Sequence, residues 1–268
     1  MPPEPSVTPL LEFDDSSPAF IEPTEHAPAV DAPEACVVTF FGDAVRRLRE
    51  DGRARLLTDN AWEDGPHPLL EMEHEGQRVA LMHSGVGAPL AGALLEEAIA
   101  MGCRAFVVCG GAGVLRPDLT LGHLIVVDSA LRDEGTSHHY LPAGRLVDAD
   151  PVAVDVLTRL LDERGVTFQA GRVWTTDAPY RETPAKIESR RTEGCIAVEM
   201  EAAALAAVAR FRGVPLGHLL YGGDDLSGAT WDNRSWQTQA GVRDNLINLA
   251  ASAALQLLAT TSISRRVP

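Results

Sequence analysis

Short apolar runs alternate with amphipathic segments from Cys36 to about residue 258, and this pattern predicts strands that alternate with helices. The predicted strands are CVVTFF, RVALMHSG, AFVVCGGAG, HLIVVDSAL, FQAGRVWTTD, CIAVEM and LGHLLYGG. The predicted helices are DAVRRLRE, PLAGALLEEAIAMG, PVAVDVLTRLLDERG, the alanine-rich segment after CIAVEM, and a closing helix over about residues 241–258. This order predicts an α/β fold with a mixed but mainly parallel sheet and helices on both faces. Such sheets bind ligands at the carboxyl ends of their strands.

The first 34 residues differ from the rest of the chain. They hold eight carboxylates, no Lys or Arg, and prolines from Pro2 to Pro33. We interpret residues 1–34 as an acidic, proline-rich N-terminal arm, which Phe13, Phe20 and Ile21 hold in part against the body. Residues 35–268 are predicted to form a single domain.

Charge and cysteine content exclude several classes of protein. The chain has 268 residues, with 23 basic and 38 acidic side chains, and its net charge is −15. No basic stripe is present, which argues against nucleic-acid binding. The four cysteines form no CxxC pair, so no metal site is predicted. The N-terminus is unlike a signal peptide and no apolar run is long enough to span a membrane, so we expect a cytoplasmic protein without a membrane partner.

Several predicted strands end in residues that could bind a ligand. Neither G-x-G-x-x-G nor a Walker motif is present, which argues against dinucleotide binding and against a nucleoside triphosphatase. Each strand end alone is weak evidence, because glycine after a strand usually marks a turn. The candidate residues are Gly42 and Arg46 after CVVTFF, Gly110 and Gly111 in VCGGAG, Thr176, Asp177 and Arg181 in TTDAPYRE, Glu199, Met200 and Glu201 in AVEME, and Asp224 in GGDD.

Glu201 and Asp224 carry the clearest chemical hypotheses. A carboxylate at a helix start offers only acceptors, so Glu201 suits the vicinal hydroxyls of a ribose, with Met200 against the sugar. The alternatives for Glu201, a helix cap or a buried ion pair, are equally compatible with the pattern. Asp224 is interpreted as a general acid and Asp225 as a turn residue. Trp231 is predicted to be a packing residue.

The segments AVEMEAAAL, GGAGVL, FFGD and LRDEGTSHHYL resemble the purine-nucleoside and uridine phosphorylase superfamily, in particular its nucleoside phosphorylase-like branch. The resemblance runs from about Cys36 to Leu258. It implies a three-layer αβα fold and cleavage of the N-glycosidic bond of a nucleoside, without a cofactor other than phosphate as co-substrate. It also implies a homo-oligomer, a dimer-based assembly, trimer or hexamer, with sites near subunit contacts.

The resemblance also assigns roles to the candidate residues. Met200 and Glu201 would bind ribose, with Glu199 in a supporting role, and Asp224 would protonate a purine leaving group. Phosphate or another nucleophile would be held by Gly42, Arg46, Gly110 and Gly111. Thr176, Asp177 and Arg181 are the candidate base-binding residues, although their segment carries no clear signature of one base.

This chain departs from the family at the phosphate site. Val108 stands where the phosphorylases have an arginine, and LTDNAWEDG lacks the arginine that a neighbouring subunit would donate. Either Arg132 or Arg181 substitutes, or water is the nucleophile.

Three hypotheses about the function follow. The first is phosphorolysis of a purine-leaning nucleoside to free base and ribose 1-phosphate, the second is phosphate-independent hydrolysis, and the third is a non-catalytic nucleoside sensor.

Overall fold

The structure is a computed structural model that describes residues 8–16 and 18–264. The strands are β1 (Ala35–Thr39), β2 (Ala54–Trp62), β3 (Gly65–His74), β4 (Gln77–His83), β5 (Ala105–Val114), β6 (Leu124–Asp133), β7 (Leu146–Asp148), β8 (Phe168–Thr176), β9 (Cys195–Glu199) and β10 (Leu216–Asp225). The α-helices are α1 (Pro23–His26), α2 (Gly42–Glu50), α3 (Ala88–Ala100), α4 (Pro151–Glu163), α5 (Pro184–Thr192), α6 (Ala202–Arg212) and α7 (Ala240–Ser264).

Strand β5 is the centre of the sheet. Its first half pairs in parallel with β1, its whole length runs beside β10, and its end pairs antiparallel with β9. The pairs β10–β6, β6–β8 and β8–β9 complete a closed ring of five strands. Beyond β1, the sheet continues through β4, β3 and β2. The ends of β5, β9 and β10 therefore meet at one edge of the ring.

Helices cover the sheet on both faces, so the described chain has three layers. One apolar core lies between the sheet and helices α2, α4 and α7, with Leu48, Leu157 and Ala250 among its members. A second lies between the sheet and helices α3 and α6, and includes Leu94 and Leu205. The predicted α/β fold with a mixed sheet is confirmed.

The pairing differs in one respect from the expected, mainly parallel sheet. Among the described strand pairs, five are parallel and five are antiparallel. The hairpin strands β2 and β3 supply two of the antiparallel pairs, and the sequence pattern did not reveal them. Most β2 side chains are exposed or half-buried, and β3 contains Pro66 and Pro68, so neither strand shows a continuous apolar run.

The arm contacts the body in part through residues that were not expected, and of the three expected residues Phe13 is half-buried. Phe20 and Ile21 are exposed, whereas Ala27, Val30 and Ala32 pack against the α3–α6 core. Ion pairs join Asp31 to Arg78 and Glu22 to Arg212. Residues 1–7 and 17 of the arm and 265–268 of the predicted domain lie outside the described residues, and the boundary at residue 35 stays a prediction.

Candidate active site

A cavity of about 870 Å³ opens where β5, β9 and β10 end. This volume is in the range of small-molecule sites. Its wall includes Gly111 from β5, Glu199 from the end of β9, the following Met200 and Glu201, and Asp224 from β10. The topology thus brings five of the predicted site residues together, although they are up to 113 positions apart in the chain.

Glu199 holds the start of helix α6. Its Oε2 accepts hydrogen bonds from the backbone N–H groups of Glu201 and Ala202, both at 2.6 Å, and its Oε1 accepts one from Thr175 Oγ1 at 2.5 Å. These N–H groups belong to the first turn of the helix and have no partner within it. Glu199 therefore caps the helix, a role that the sequence hypothesis had considered for Glu201.

Glu201 makes no cap hydrogen bond to its own helix. Its Oε1 accepts a hydrogen bond of 2.6 Å from the backbone N–H of Gly87, in the loop before helix α3. Gly87 has φ 109°, a conformation that favours glycine. Burial raises the pKa of Glu201 above its ordinary value, and the nearby charge of Glu199 adds to the rise. Glu201 is thus a buried carboxyl group fixed in the cavity wall.

Asp224 and Asp225 make different contacts. Asp225 forms an ion pair with Arg234 and accepts a hydrogen bond from the Ser227 N–H, so it holds its own loop. Asp224 lines the cavity, and its Oδ2 accepts a hydrogen bond of 2.7 Å from the Trp231 indole. Trp231 is 62% exposed, so the predicted packing role is wrong for this residue.

The predicted phosphate-binding residues do not all face the cavity. Gly111 lines it, but Gly110 does not, and a Cβ on Gly110 would lie 2.9 Å from the ring of Phe40. Gly42 is the first residue of α2, beside Phe41 of the cavity wall, and Arg46 is exposed outside the lining. Gly42, Gly110 and Arg46 therefore lie outside the cavity lining, and their binding of phosphate stays a prediction.

Neither arginine expected as a substitute reaches the cavity. Arg132 is buried beside another loop, where it donates to Ser137 Oγ and to the carbonyl oxygens of Leu141 and Pro142. Arg181 is exposed and is not part of the cavity lining.

The predicted base-binding residues also lie outside the cavity lining. Thr176 Oγ1 accepts a hydrogen bond from the Ala178 N–H, and Asp177 accepts one from the Gly135 N–H at 2.8 Å. These contacts hold the loop after β8. The residues of that loop that line the cavity are its neighbours Pro179, Tyr180 and Glu182. The sequence therefore identified the segment but not the side chains that face the cavity.

Two further charged residues of the lining were not predicted. Arg243, on helix α7, is 7% exposed; it forms an ion pair with Asp43 at 2.7 Å and donates to the Trp236 carbonyl. Arg191, on α5, donates to the carbonyl oxygens of Leu115 and Leu226. Arg243 is the one basic residue between Ala240 and Ser264, but the sequence does not indicate that it faces the cavity.

No group of three or more His, Cys, Asp or Glu side chains in the described part of the chain is arranged to hold a metal ion. Over the same residues, no helix combines the length and apolar character needed to cross a bilayer.

Comparison with known protein families gives a match over most of the chain. The family model described as the phosphorylase superfamily matches residues 34–259. Guanosine phosphorylase of Halorubrum lacusprofundi is 27% identical over 56% of this chain and 63% of its own length. A DeoD-type purine nucleoside phosphorylase of Bacillus cytotoxicus is 27% identical over 68% of this chain and 78% of its own length. The chain thus spans somewhat less than two thirds of the guanosine phosphorylase.

Solved structures share the fold. Uridine phosphorylase of Vibrio fischeri superposes with a TM-score of 0.70 at 24% identity, covering 86% of this chain and 93% of that structure. AMP nucleosidase of Bacteroides thetaiotaomicron gives a TM-score of 0.69 at 21% identity, with 87% and 91% covered. At these identities the likeness establishes the fold alone.

Proposed function

Because this chain belongs to the phosphorylase superfamily, we propose that it cleaves the N-glycosidic bond of a purine nucleoside, and that it does so by phosphorolysis. The observation that carries the proposal is the arrangement of Glu201. Its buried carboxyl group is held by the Gly87 N–H, next to Met200 and in the same cavity as Asp224. This arrangement suits a ribose whose hydroxyl groups donate hydrogen bonds to Glu201, with Asp224 as the acid that protonates the base.

Glu201 stabilises the sugar as the bond breaks. Cleavage of the C–N bond builds positive charge on the ribose ring, and the hydroxyl groups become stronger donors as it develops. Hydrogen bonds from the 2′- and 3′-hydroxyls to Glu201 therefore strengthen in the transition state. Glu199 acts as a positioning residue, because it fixes the backbone of Glu201 and the start of helix α6.

Asp224 serves the leaving base. The base gains negative charge as it departs, and the carboxyl group of Asp224 in the same cavity gives it a proton, so Asp224 must carry that proton when the nucleoside binds. The Trp231 indole, which donates to Asp224 Oδ2, fixes the orientation of this side chain. Phosphate then attacks the anomeric carbon from the side of Gly111 and Phe41, which would yield free base and ribose 1-phosphate.

Hydrolysis is the second candidate, and the charges around the cavity favour it. Phosphate normally requires charged donors that are free to bind it. Both arginines of the lining are already engaged, Arg191 by backbone carbonyls and Arg243 by Asp43, and four carboxyl groups share the same wall. A nucleosidase needs no such cation.

A panel of nucleosides assayed with and without phosphate tests the proposal. Base release that rises with phosphate and yields ribose 1-phosphate supports phosphorolysis, whereas release of free ribose at a rate that phosphate does not change supports hydrolysis. Binding without release would support the sensor hypothesis. The control is Glu201→Ala, which should remain folded and release no base. Turnover by this variant at the wild-type rate would refute the ribose assignment.

A further inference from the structure

The loop before helix α3, residues 84–87, supplies the hydrogen bond that holds Glu201. The Gly87 N–H donates to Glu201 Oε1 at 2.6 Å. Gly85 and Gly87 have φ values of 67° and 109°, so half of this short loop has the backbone freedom of glycine. Val86 lies between them, is 65% exposed and lines the cavity. The direction of the Gly87 N–H therefore depends on contacts from outside the loop.

Two strands of the sheet flank the start of this loop. On one side, the Ser84 N–H donates to the Thr39 carbonyl of β1 at 3.0 Å. On the other side, β3 runs antiparallel to β4, and this pairing brings His67 of β3 to the loop. The imidazole ring is in van der Waals contact there, because its Cε1 lies 4.0 Å from the position that a Cβ on Gly85 would take. The β2–β3 hairpin thus contacts the loop through His67.

Glu97 fastens the tip of the same hairpin to helix α3. Its Oε2 accepts a hydrogen bond from Asn60 Nδ2 at 2.8 Å, and its Oε1 accepts one from the Trp62 indole at 3.1 Å. The Trp62 ring meets the His67 ring edge-on, with centroids 6.3 Å apart, and Asp64 Oδ1 lies 3.0 Å from His67 Nε2. One carboxylate on α3 therefore holds the tip, and the tip holds His67 in place.

This attachment accounts for a departure of the chain from its family. The segment LTDNAWEDG has no arginine to donate to a neighbouring subunit, and its Asn60 and Trp62 side chains are directed at α3 of their own chain. Glu97 is half-buried, and burial raises its pKa above the ordinary value. Hydrogen bonds to a charged acceptor that is partly removed from water are stronger than those at an open surface.

We propose that the β2–β3 hairpin fixes the loop at residues 84–87, with Glu97 as a positioning residue that keeps the Gly87 N–H directed at Glu201. This inference rests on the proposed function, since it gives Glu97 a part in the same reaction. Helix α3 begins directly after Gly87. The hairpin therefore restrains the loop at both ends, through His67 at its start and through Glu97 on the helix that follows it. Without this restraint, the two glycines let the N–H turn away from Glu201.

Hydrogen–deuterium exchange measured by mass spectrometry tests the inference without a substrate. Glu97→Ala removes the acceptor of both hydrogen bonds and should raise the exchange rate of residues 84–88 by about 10-fold or more, with helix α4 unchanged. Trp62→Phe keeps a ring beside His67 but removes one donor, so it should give a smaller rise at the same residues. It is also the test variant if Glu97→Ala does not fold. The control is Glu63→Ala, which removes the same charge from the exposed turn of the hairpin and should match the wild type.

Initial rates of base release with the same variants show whether the loop serves the reaction. In Glu97→Ala, kcat/KM should fall roughly 10-fold, because a misplaced group at the reacting centre costs rate. The acidic limb of the pH–rate profile, where Glu201 is protonated, should also move to higher pH. The reason is that the hydrogen bond from Gly87 lowers the pKa of Glu201, and the variant weakens this bond. Glu63→Ala should keep the wild-type rate and profile.

The two measurements separate this inference from the proposed function. If no nucleoside is cleaved but exchange rises at residues 84–88 alone, the proposed function fails and the role of the hairpin in fixing the loop stands. Wild-type exchange in both Glu97→Ala and Trp62→Phe would overturn the inference, as would an equal rise in α4, since the loop would then not depend on the hairpin. A slower reaction with an unshifted pH profile would refute the effect on Glu201.

Discussion

The substitution Glu201→Gln should make the protein more stable and inactive at the same time. Glu201 is 5% exposed, and burial together with the charge of Glu199 raises its pKa. Ionised Glu201 is therefore a cost to the folded state, and the hydrogen bond from the Gly87 N–H offsets part of it. Glutamine has the same shape, keeps an oxygen that can accept from the Gly87 N–H, and removes the charge.

The pH dependence of the stability follows from the direction in which the pKa of Glu201 is shifted. A carboxyl group whose pKa is higher in the folded state binds more protons there than in the unfolded chain. Its destabilising effect is absent below the unfolded value near 4.5. The effect grows as the pH rises and is complete above the folded value. Glu201→Gln should therefore match the wild type at pH 4 and exceed it in stability at pH 8.5.

The gain in stability of Glu201→Gln can be bounded from general values for pKa shifts and hydrogen bonds. Each unit by which the pKa is raised corresponds to about 1.4 kcal/mol, and the hydrogen bond from Gly87 weakens by a fraction of that when its acceptor becomes neutral. A net gain of about 1 kcal/mol or more at pH 8.5 corresponds to roughly 2–4 °C in Tm. Base release should fall by about 10²–10³-fold, the loss typical when one group that stabilises transition-state charge is removed.

Circular dichroism follows thermal unfolding between pH 4 and 8.5, and this tests the predicted gain in stability. Initial rates of base release on the same samples test the predicted loss of activity. Glu163→Gln is the control for loss of an exposed charge. An equal gain in Tm at all pH values would show that titration of Glu201 is not the cause. A stability below wild type at pH 8.5 would refute the argument that ionised Glu201 is a cost.

Three other variants test separate features of the site. Asp224→Asn should lower purine release by about 10²–10⁴-fold without loss of folding, and a nearly unchanged rate would exclude this residue as the acid. Glu199→Ala removes the cap of α6 and leaves two buried N–H groups without an acceptor. It should lower the free energy of unfolding by about 2 kcal/mol or more, measured by urea unfolding at neutral pH. An unchanged urea midpoint would contradict the capping role. Gly110→Ala places a methyl group 2.9 Å from Phe40 and should cost about 1–3 kcal/mol, and equal stability by the same method would show that the ring moves freely aside.

The parts of the fold that could be predicted are those in which the sequence pattern follows burial. Strands β1 and β9 are buried at every position, so they appear as continuous apolar runs. The β2–β3 hairpin could not be found in this way, because it lies at the edge of the sheet and much of its surface is exposed.

The site residues that could be predicted from the sequence are those at the ends of strands. Glu201 and Asp224 lie at or immediately after strands, so the sheet fixes their position. The loop after β8 is different. The turn Pro179–Arg181 decides that Glu182 lines the cavity while Arg181 is exposed, and the apolar periodicity carries no information about such a turn. Arg243 depends on the packing of α7 near the chain end, a contact that sequence spacing cannot indicate.

The charges of the cavity connect these residues to the choice of nucleophile. Where they are ionised, Glu182, Glu201 and Asp224 make the cavity negative. In the proposed mechanism, this charge favours the positive charge of the breaking sugar bond but opposes a phosphate dianion. Arg243 cannot offset them fully, since Asp43 already pairs with it. If phosphate is the nucleophile, it must bind weakly and need a high concentration to saturate the rate. A phosphate titration extended well beyond the usual range, at constant ionic strength, is therefore required before hydrolysis is concluded from a flat response.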